Sequence, residues 1–202
     1  GDPRPLTPAS FDFTEYAPAW SPDGQWLAFT ALGPNGRGHL YRARPGGGAP
    51  ERLTEREAFY THPVWSPDGS EVLLTRGGGA TARGRTVSHN AFFDLVRVPA
   101  GGGAAALVAT VQAPSGTSPA SFARRAIVQA SYGPDGRIFY PEPVELEGRS
   151  GTVMGLVSVR PDGTDRRIHM SLPVADEIVP SPGGDWVAFQ EGDNAFVVPF
   201  PR

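Results

Sequence analysis

Any chemistry performed by this chain should show first in its histidines, carboxylates and hydroxyls. His39, His62, His89 and His169 are far apart, and no His-x-His or His-Glu-x-x-His occurs, the pairings that bring zinc ligands together in hydrolytic sites. The absence of cysteine removes thiolate metal sites and disulfide frameworks. No Gly-x-Ser-x-Gly elbow presents a serine nucleophile, and no Asp-x-Asp-x-Asp-Gly loop marks calcium. Gly77-Gly78-Gly79 and Gly101-Gly102-Gly103 lack the following helix and Gly-Lys-Ser/Thr that a phosphate cradle needs. The expectation is a chain with no catalytic residue, metal or cofactor of its own.

Binding remains. Three stretches are long, irregular and polar, residues 76–90, 110–125 and 141–154, and long loops on a rigid scaffold are where binding residues collect. Their candidates are Arg83, Arg85, His89, Asn90, Arg124, Arg125, Glu142, Glu145, Glu147 and Arg149. Glu142, Glu145 and Glu147 could form an acidic rim that pairs with arginine or a cation. All eighteen basic residues are arginine and the net charge is −3, which gives no electrostatic case for nucleic acid or an anionic membrane as partner.

The elements that must carry these loops announce themselves as a repeat. Ala19-Trp20-Ser21-Pro22-Asp23-Gly24, Val64-Trp65-Ser66-Pro67-Asp68-Gly69, Ser131-Tyr132-Gly133-Pro134-Asp135-Gly136 and Val179-Pro180-Ser181-Pro182-Gly183-Gly184 align, at spacings of 45, 67 and 48 residues. In each, proline presets one turn dihedral, aspartate accepts local backbone N–H groups and glycine supplies positive φ. Asp23, Asp68 and Asp135 are therefore turn formers, and Gly183 shows that the turn survives without the carboxylate. Short apolar strands flank every turn, and further Gly-rich turns follow at Pro45 to Gly48, Pro99 to Gly103 and Pro161 to Gly163. Four short strands per roughly 45 residues is a β-propeller blade. The fold class is thus all-β, a β-propeller of four-stranded antiparallel blades, with units at about 8–54, 55–109, 126–170 and 177–202 plus a strand at 1–7. Trp20, Trp65 and Tyr132 share one slot and are expected to pack between blades.

The run Pro-x-Trp-Ser-Pro-Asp-Gly, an apolar Ala-Phe strand, Gly-Gly-Gly and Arg-Leu-Thr resembles the TolB-type propeller repeat over nearly the whole chain. Residues 1–7 align on residues 48–54, so the first strand could complete the last blade and close a four-bladed ring. TolB-like propellers usually have more blades, so the resemblance favours a piece of a six- or seven-bladed propeller, whose open edge strands would self-associate or be covered.

A finer resemblance lies in Ser158 to Arg167, Asp176 to Pro182, Trp186 to Phe189 and Phe196 to Pro201, which look like the propeller preceding the catalytic barrel of secreted amidohydrolases. It implies a non-catalytic module that gates substrate or holds a catalytic domain, with zinc confined to that separate domain. It also implies a periplasmic or secreted location, although the chain itself shows no signal peptide. Two alternatives are a stand-alone periplasmic TolB-like protein-binding module and the propeller of a prolyl-oligopeptidase-type serine peptidase. The expected partner is a catalytic domain of the same polypeptide or another protein, with no nucleic acid and no membrane.

Overall fold

A computed structural model describes residues 2–77, 92–112, 129–145, 152–172, 175 and 177–201. Among the described residues there is no helix. The strands are β1 (Thr14–Trp20), β2 (Leu27–Leu32), β3 (Gly38–Ala43), β4 (Glu51–Arg52), β5 (Phe59–Trp65), β6 (Glu71–Gly77), β7 (Phe92–Pro99) and β8 (Ala106–Gln112). They continue with β9 (Ser131–Tyr132), β10 (Ile138–Glu145), β11 (Thr152–Val159), β12 (Arg167–Leu172), β13 (Glu177–Pro180), β14 (Trp186–Glu191) and β15 (Asn194–Pro199). In chain order they form sheets β1–β4, β5–β8 and β9–β12, each of four strands, and the three-stranded sheet β13–β15. The all-β architecture of propeller blades expected from the repeat is the architecture found. The chain divides into two compact units, Gly1–Thr86 with Val96–Ala106, and Val87–Leu95 with Leu107–Arg202.

The repeated turns are built by side chains closing on backbone. Ser21 Oγ donates to Asp23 Oδ1 at 2.6 Å and accepts the Trp26 N–H at 2.9 Å, while Asp23 Oδ1 accepts the Gln25 N–H at 3.0 Å. Gly24, at φ +67°, sends its N–H to the Ser21 carbonyl. Ser66 and Asp68 repeat the arrangement, with Ser70 adding its hydroxyl; the Ser66 hydroxyl and the Ser70 N–H and hydroxyl hold the Asp68 carboxyl down at about 2. In the fourth copy Ser181 Oγ still accepts the Trp186 N–H at 3.1 Å and Gly184 still closes on Ser181, so Gly183 forfeits only the carboxylate contacts. The third copy needs glycine in the serine slot, because a Cβ on Gly133 would lie 2.4 Å from the Phe139 ring.

Burial follows strand alternation. In the first unit Ala28 and Leu40 of the first sheet, with Leu53 beyond its last strand, meet Tyr60, Trp65, Val72, Leu74, Val96 and Val98 of the second in one core. The opposite face of the first sheet buries Phe29, Ala31, Tyr41 and Ala43 under Leu6 and Phe11, the Phe11 ring standing edge-on to Tyr41 with centroids 5.1 Å apart. Residues 2–7, expected as a strand, form none: they lie beside the first sheet, where Arg4 donates to the Pro45 carbonyl. In the second unit Phe139, Leu156, Ala175, Ile178 and Val187 form the core between the third and fourth sheets.

Two expectations are corrected. Trp65 is 7% exposed and its Nε1–H donates to the Ala19 carbonyl at 3.0 Å, but Trp20 in the same slot is 58% exposed. The stretch 141–154 is not a free loop: β10 runs on to Glu145 and pairs with β11 from Ile138↔Val159 to Glu145↔Thr152. Pro141 and Pro143 lie in this extension, beyond Ile138 and Phe139, the two residues of β10 that pair with β9. Proline also marks bulges in β1 and β5, where Ala17 (φ 50°) and His62 (φ 52°), each preceding a proline, take left-handed backbone at register shifts.

Candidate functional site

Arg83, Arg85, His89, Asn90, Arg124, Arg125, Glu147 and Arg149 lie outside the described residues. Of the proposed acidic rim, Glu145 is exposed at the end of β10. Glu142 pairs with an arginine, its Oε2 accepting from Arg166 Nε at 3.0 Å and Nη2 at 2.9 Å. The neighbouring Tyr140 is buried, which pushes its hydroxyl up to about 12; Glu142 adds to the shift and Arg166 opposes it. Glu142 is thus charge-balanced within its own sheet, and a cation has to compete with Arg166 for it.

The densest polar cluster is one the sequence did not signal. Arg137, only 7% exposed, donates from Nε to Ser158 Oγ at 2.8 Å and from Nη1 to Asp165 Oδ2 at 2.8 Å, and Nη2 reaches the Ser158 and Asp165 carbonyls. Asp165 takes left-handed backbone, φ 52°, and Arg167 holds it from the other side at 2.8 Å. These arginine hydrogen bonds keep the Asp165 carboxyl below its ordinary value. Ser158 Oγ then meets His169 Nε2 at 2.7 Å. Arginine has only hydrogens to offer, so the serine hydroxyl proton is left for His169 Nε2, which fits a neutral imidazole. Burial first, then Arg137 and Arg167, push His169 below its ordinary value, with Asp135 opposing.

A serine and a histidine 2.7 Å apart have the spacing of an activated nucleophile. The surroundings say otherwise. Ser158 is fully buried, its oxygen is held by Arg137, and the His169 ring lies between Phe139 and Phe200 at 5.1 and 5.2 Å. No substrate carbonyl reaches that oxygen. The cluster is a lock joining the β9–β10 turn, β11 and the start of β12.

In the first sheet His39 is seated in a similar way. Its Nδ1 lies 2.9 Å from Thr54 Oγ1, which accepts the Leu40 N–H at 3.2 Å, and burial again lowers the imidazole. Beside it, the Arg42 and Arg44 guanidinium carbons sit 3.9 and 4.3 Å from the Trp26 ring centroid, and Arg42 pairs with Glu51. Among the described residues no group of three or more His, Asp or Glu is placed to hold a metal ion.

The fold and cluster define a class, a β-propeller-blade protein with a self-contained polar interior. No family model matches the chain. It is similar to an uncharacterized peptidase, YuxL, of Bacillus subtilis (strain 168), at 34% identity over 83 residues, 40% of this chain and 13% of that one. An oligogalacturonate lyase solved with manganese superposes with a TM-score of 0.63 at 14% identity, over 93% of this chain and 50% of that one. The β-propeller domain of the trilobed protease from Pyrococcus furiosus gives 0.55 at 12% identity, over 91% and 56%. The chain therefore spans about half, or far less, of the proteins it is similar to. Likeness at these identities establishes the fold, and a propeller hosts unrelated activities.

Proposed function

We propose that the chain is a non-catalytic, TolB-like propeller module that gates substrate or mediates interaction within a hydrolase polypeptide. The observation that carries this reading is the sequence match to a peptidase of which the matched stretch is a small part. The burial of Ser158 supports it, since the serine–histidine contact it makes with His169 is walled off from a substrate. Between the two hydrolase classes, the match to the uncharacterized peptidase YuxL favours a peptidase; the resemblance of residues 158–201 to amidohydrolase propellers supports the other, with zinc held in the catalytic domain. An exported location goes with either reading, and no helix among the described residues is long and apolar enough to cross a membrane.

The test is to assay the purified chain on aminoacyl and peptidyl p-nitroanilides, and on N-acyl amides with added zinc. No turnover is expected. Hydrolysis that Ser158→Ala abolishes would overturn the proposal. The parental reading frame separates the classes: a Gly-x-Ser-x-Gly domain beyond residue 202 marks a peptidase, a His-x-His barrel an amidohydrolase, and an immediate stop a stand-alone module.

A further inference from the structure

Two turns of the chain are the same five residues with a single difference. Gly33-Pro34-Asn35-Gly36-Arg37 joins β2 to β3, and Gly133-Pro134-Asp135-Gly136-Arg137 joins β9 to β10. Their hydrogen bonds correspond one for one. Gly33 N–H donates to the Arg37 carbonyl at 2.8 Å and Gly36 N–H to the Gly33 carbonyl at 2.9 Å, as Gly133 and Gly136 do at 2.8 and 3.0 Å. Arg37 N–H donates to Asn35 Oδ1 at 2.9 Å, as Arg137 N–H does to Asp135 Oδ1 at 3.1 Å. Gly36 and Gly136 both take φ +75°. An amide thus stands in one turn where the fold holds a carboxylate in the other, and the oxygen that closes each turn is common to both groups.

Asn35 is also the asparagine best placed to lose its amide, a chemically labile group. Of Asn35, Asn90 and Asn194, only Asn35 precedes a glycine, which has no Cβ to keep its nitrogen from the preceding side chain. Asn35 is exposed, and a Cβ built on Gly36 would meet nothing within 4 Å. The deprotonated Gly36 nitrogen bonds to Asn35 Cγ, ammonia leaves from Cγ, and water opens the cyclic imide that results. Opening at Cγ gives aspartate, and opening at the backbone carbonyl gives isoaspartate, with an extra methylene in the main chain. In the closed turn the Gly36 N–H is held by the Gly33 carbonyl and Asn35 Oδ1 by the Arg37 N–H, so attack waits for the turn to open. Aspartate can close the turn again, as Asp135 does. Isoaspartate has to absorb its extra atom within the turn, because Gly38 is fixed: its N–H and carbonyl both bond Ala58, and its missing Cβ would lie 1.9 Å from the Ala31 carbonyl oxygen.

We propose that Asn35 is a site of spontaneous deamidation, in which water replaces the side-chain amide and the aspartate product keeps the turn while adding one negative charge to the net of −3. This stands or falls independently of the hydrolase reading. The purified chain is aged in heavy-oxygen water at neutral and mildly alkaline pH and mapped by peptide mass spectrometry. The Asn35 peptide should take up one heavy oxygen, faster at the higher pH and faster still in guanidinium chloride, while the Asn194 peptide stays unchanged. Asn35→Asp should melt with the fresh chain, and the isoaspartate form, separated by chromatography, should melt below both. Asn35 left intact in the folded chain for the time that converts the unfolded chain completely overturns the proposal. So does conversion of Asn194 at an equal rate, or an Asn35→Asp chain that melts well below the fresh one.

Discussion

Trp20 and Trp65 open the same Trp-Ser-Pro-Asp-Gly motif and have opposite surroundings, so truncating each to alanine isolates what burial contributes. A tryptophan side chain buries about 150–250 Å² when enclosed. Trp65 hides nearly all of this and Trp20 less than half, at 7% and 58% exposure. The difference is of order 100 Å², which at about 25 cal/mol per Å² is about 2.5 kcal/mol. Trp65→Ala also loses the bond from Nε1 to the Ala19 carbonyl, worth about 1 kcal/mol, and leaves a cavity among Ala28, Leu40 and Leu53. Trp65→Ala should therefore cost about 3–5 kcal/mol, about 2.5 kcal/mol or more above the cost of Trp20→Ala. Urea unfolding followed by far-ultraviolet circular dichroism, at a protein concentration too low for association, reads both, and amide exchange in β5 and β6 localises the first. Equal losses would refute the reasoning, because they would mean that the motif rather than the neighbouring sheet sets the burial.

Acid should destabilise both units. His169 and His39 are held below the ordinary histidine value of 6.5, so the unfolded chain binds protons more readily than the folded one. Their contribution is complete above about pH 6.5 and is lost as pH falls from there toward the folded values; a stability that is flat from pH 7 to 5 in urea titrations would contradict it. Arg137→Met should lower stability by about 2–3 kcal/mol, less than a fully orphaned buried ion pair, because Asp165 keeps Arg167 and Ser158 keeps His169. It should also raise the His169 midpoint in an NMR titration, since Arg137 is one of the groups that hold it down. Gly38→Ala should be severe, since its Cβ would lie 1.9 Å from the Ala31 carbonyl oxygen, whereas Gly46→Ala meets nothing within 4 Å and should stay within about 0.5 kcal/mol; parallel thermal melts decide.

The turns and the sheet order were legible because their causes are local. Ser21, Pro22, Asp23 and Gly24 satisfy one another within six residues, and the same arithmetic works wherever the motif recurs. Trp20 was misjudged because burial belongs to a neighbour: the motif sets the strand, and only the preceding face decides whether the indole is enclosed. The extension of β10 was hidden because Pro141 and Pro143 argue against a strand, although both hold their register opposite Leu156 and Met154 of β11. Most of the candidate binding residues fall outside the described residues, and the sequence left open whether Glu142 pairs with an arginine or a cation, because the arginine that meets it lies 24 positions away.

The Arg137 cluster shows the same limit from the other direction. Its slot, two residues after the turn aspartate, holds Gln25, Ser70 and Asp185 in the other copies, all exposed, so the repeat predicts a surface position. What buries Arg137 is Asp165, which enters from the next Gly-rich turn in left-handed backbone and meets the guanidinium with both its carboxylate and its carbonyl. A carboxylate on that turn and a cation in that slot are individually unremarkable, and only the hairpin that brings β11 and the start of β12 alongside the β9–β10 turn makes them a pair. The same closure places Ser158 and His169 in contact and withdraws the serine from solvent, so the fold that creates a nucleophile-like geometry also removes its reactivity. Divergence among the four copies, rather than the motif they share, is where this chain's individual properties lie: a locked polar interior in the third and an exposed tryptophan in the first.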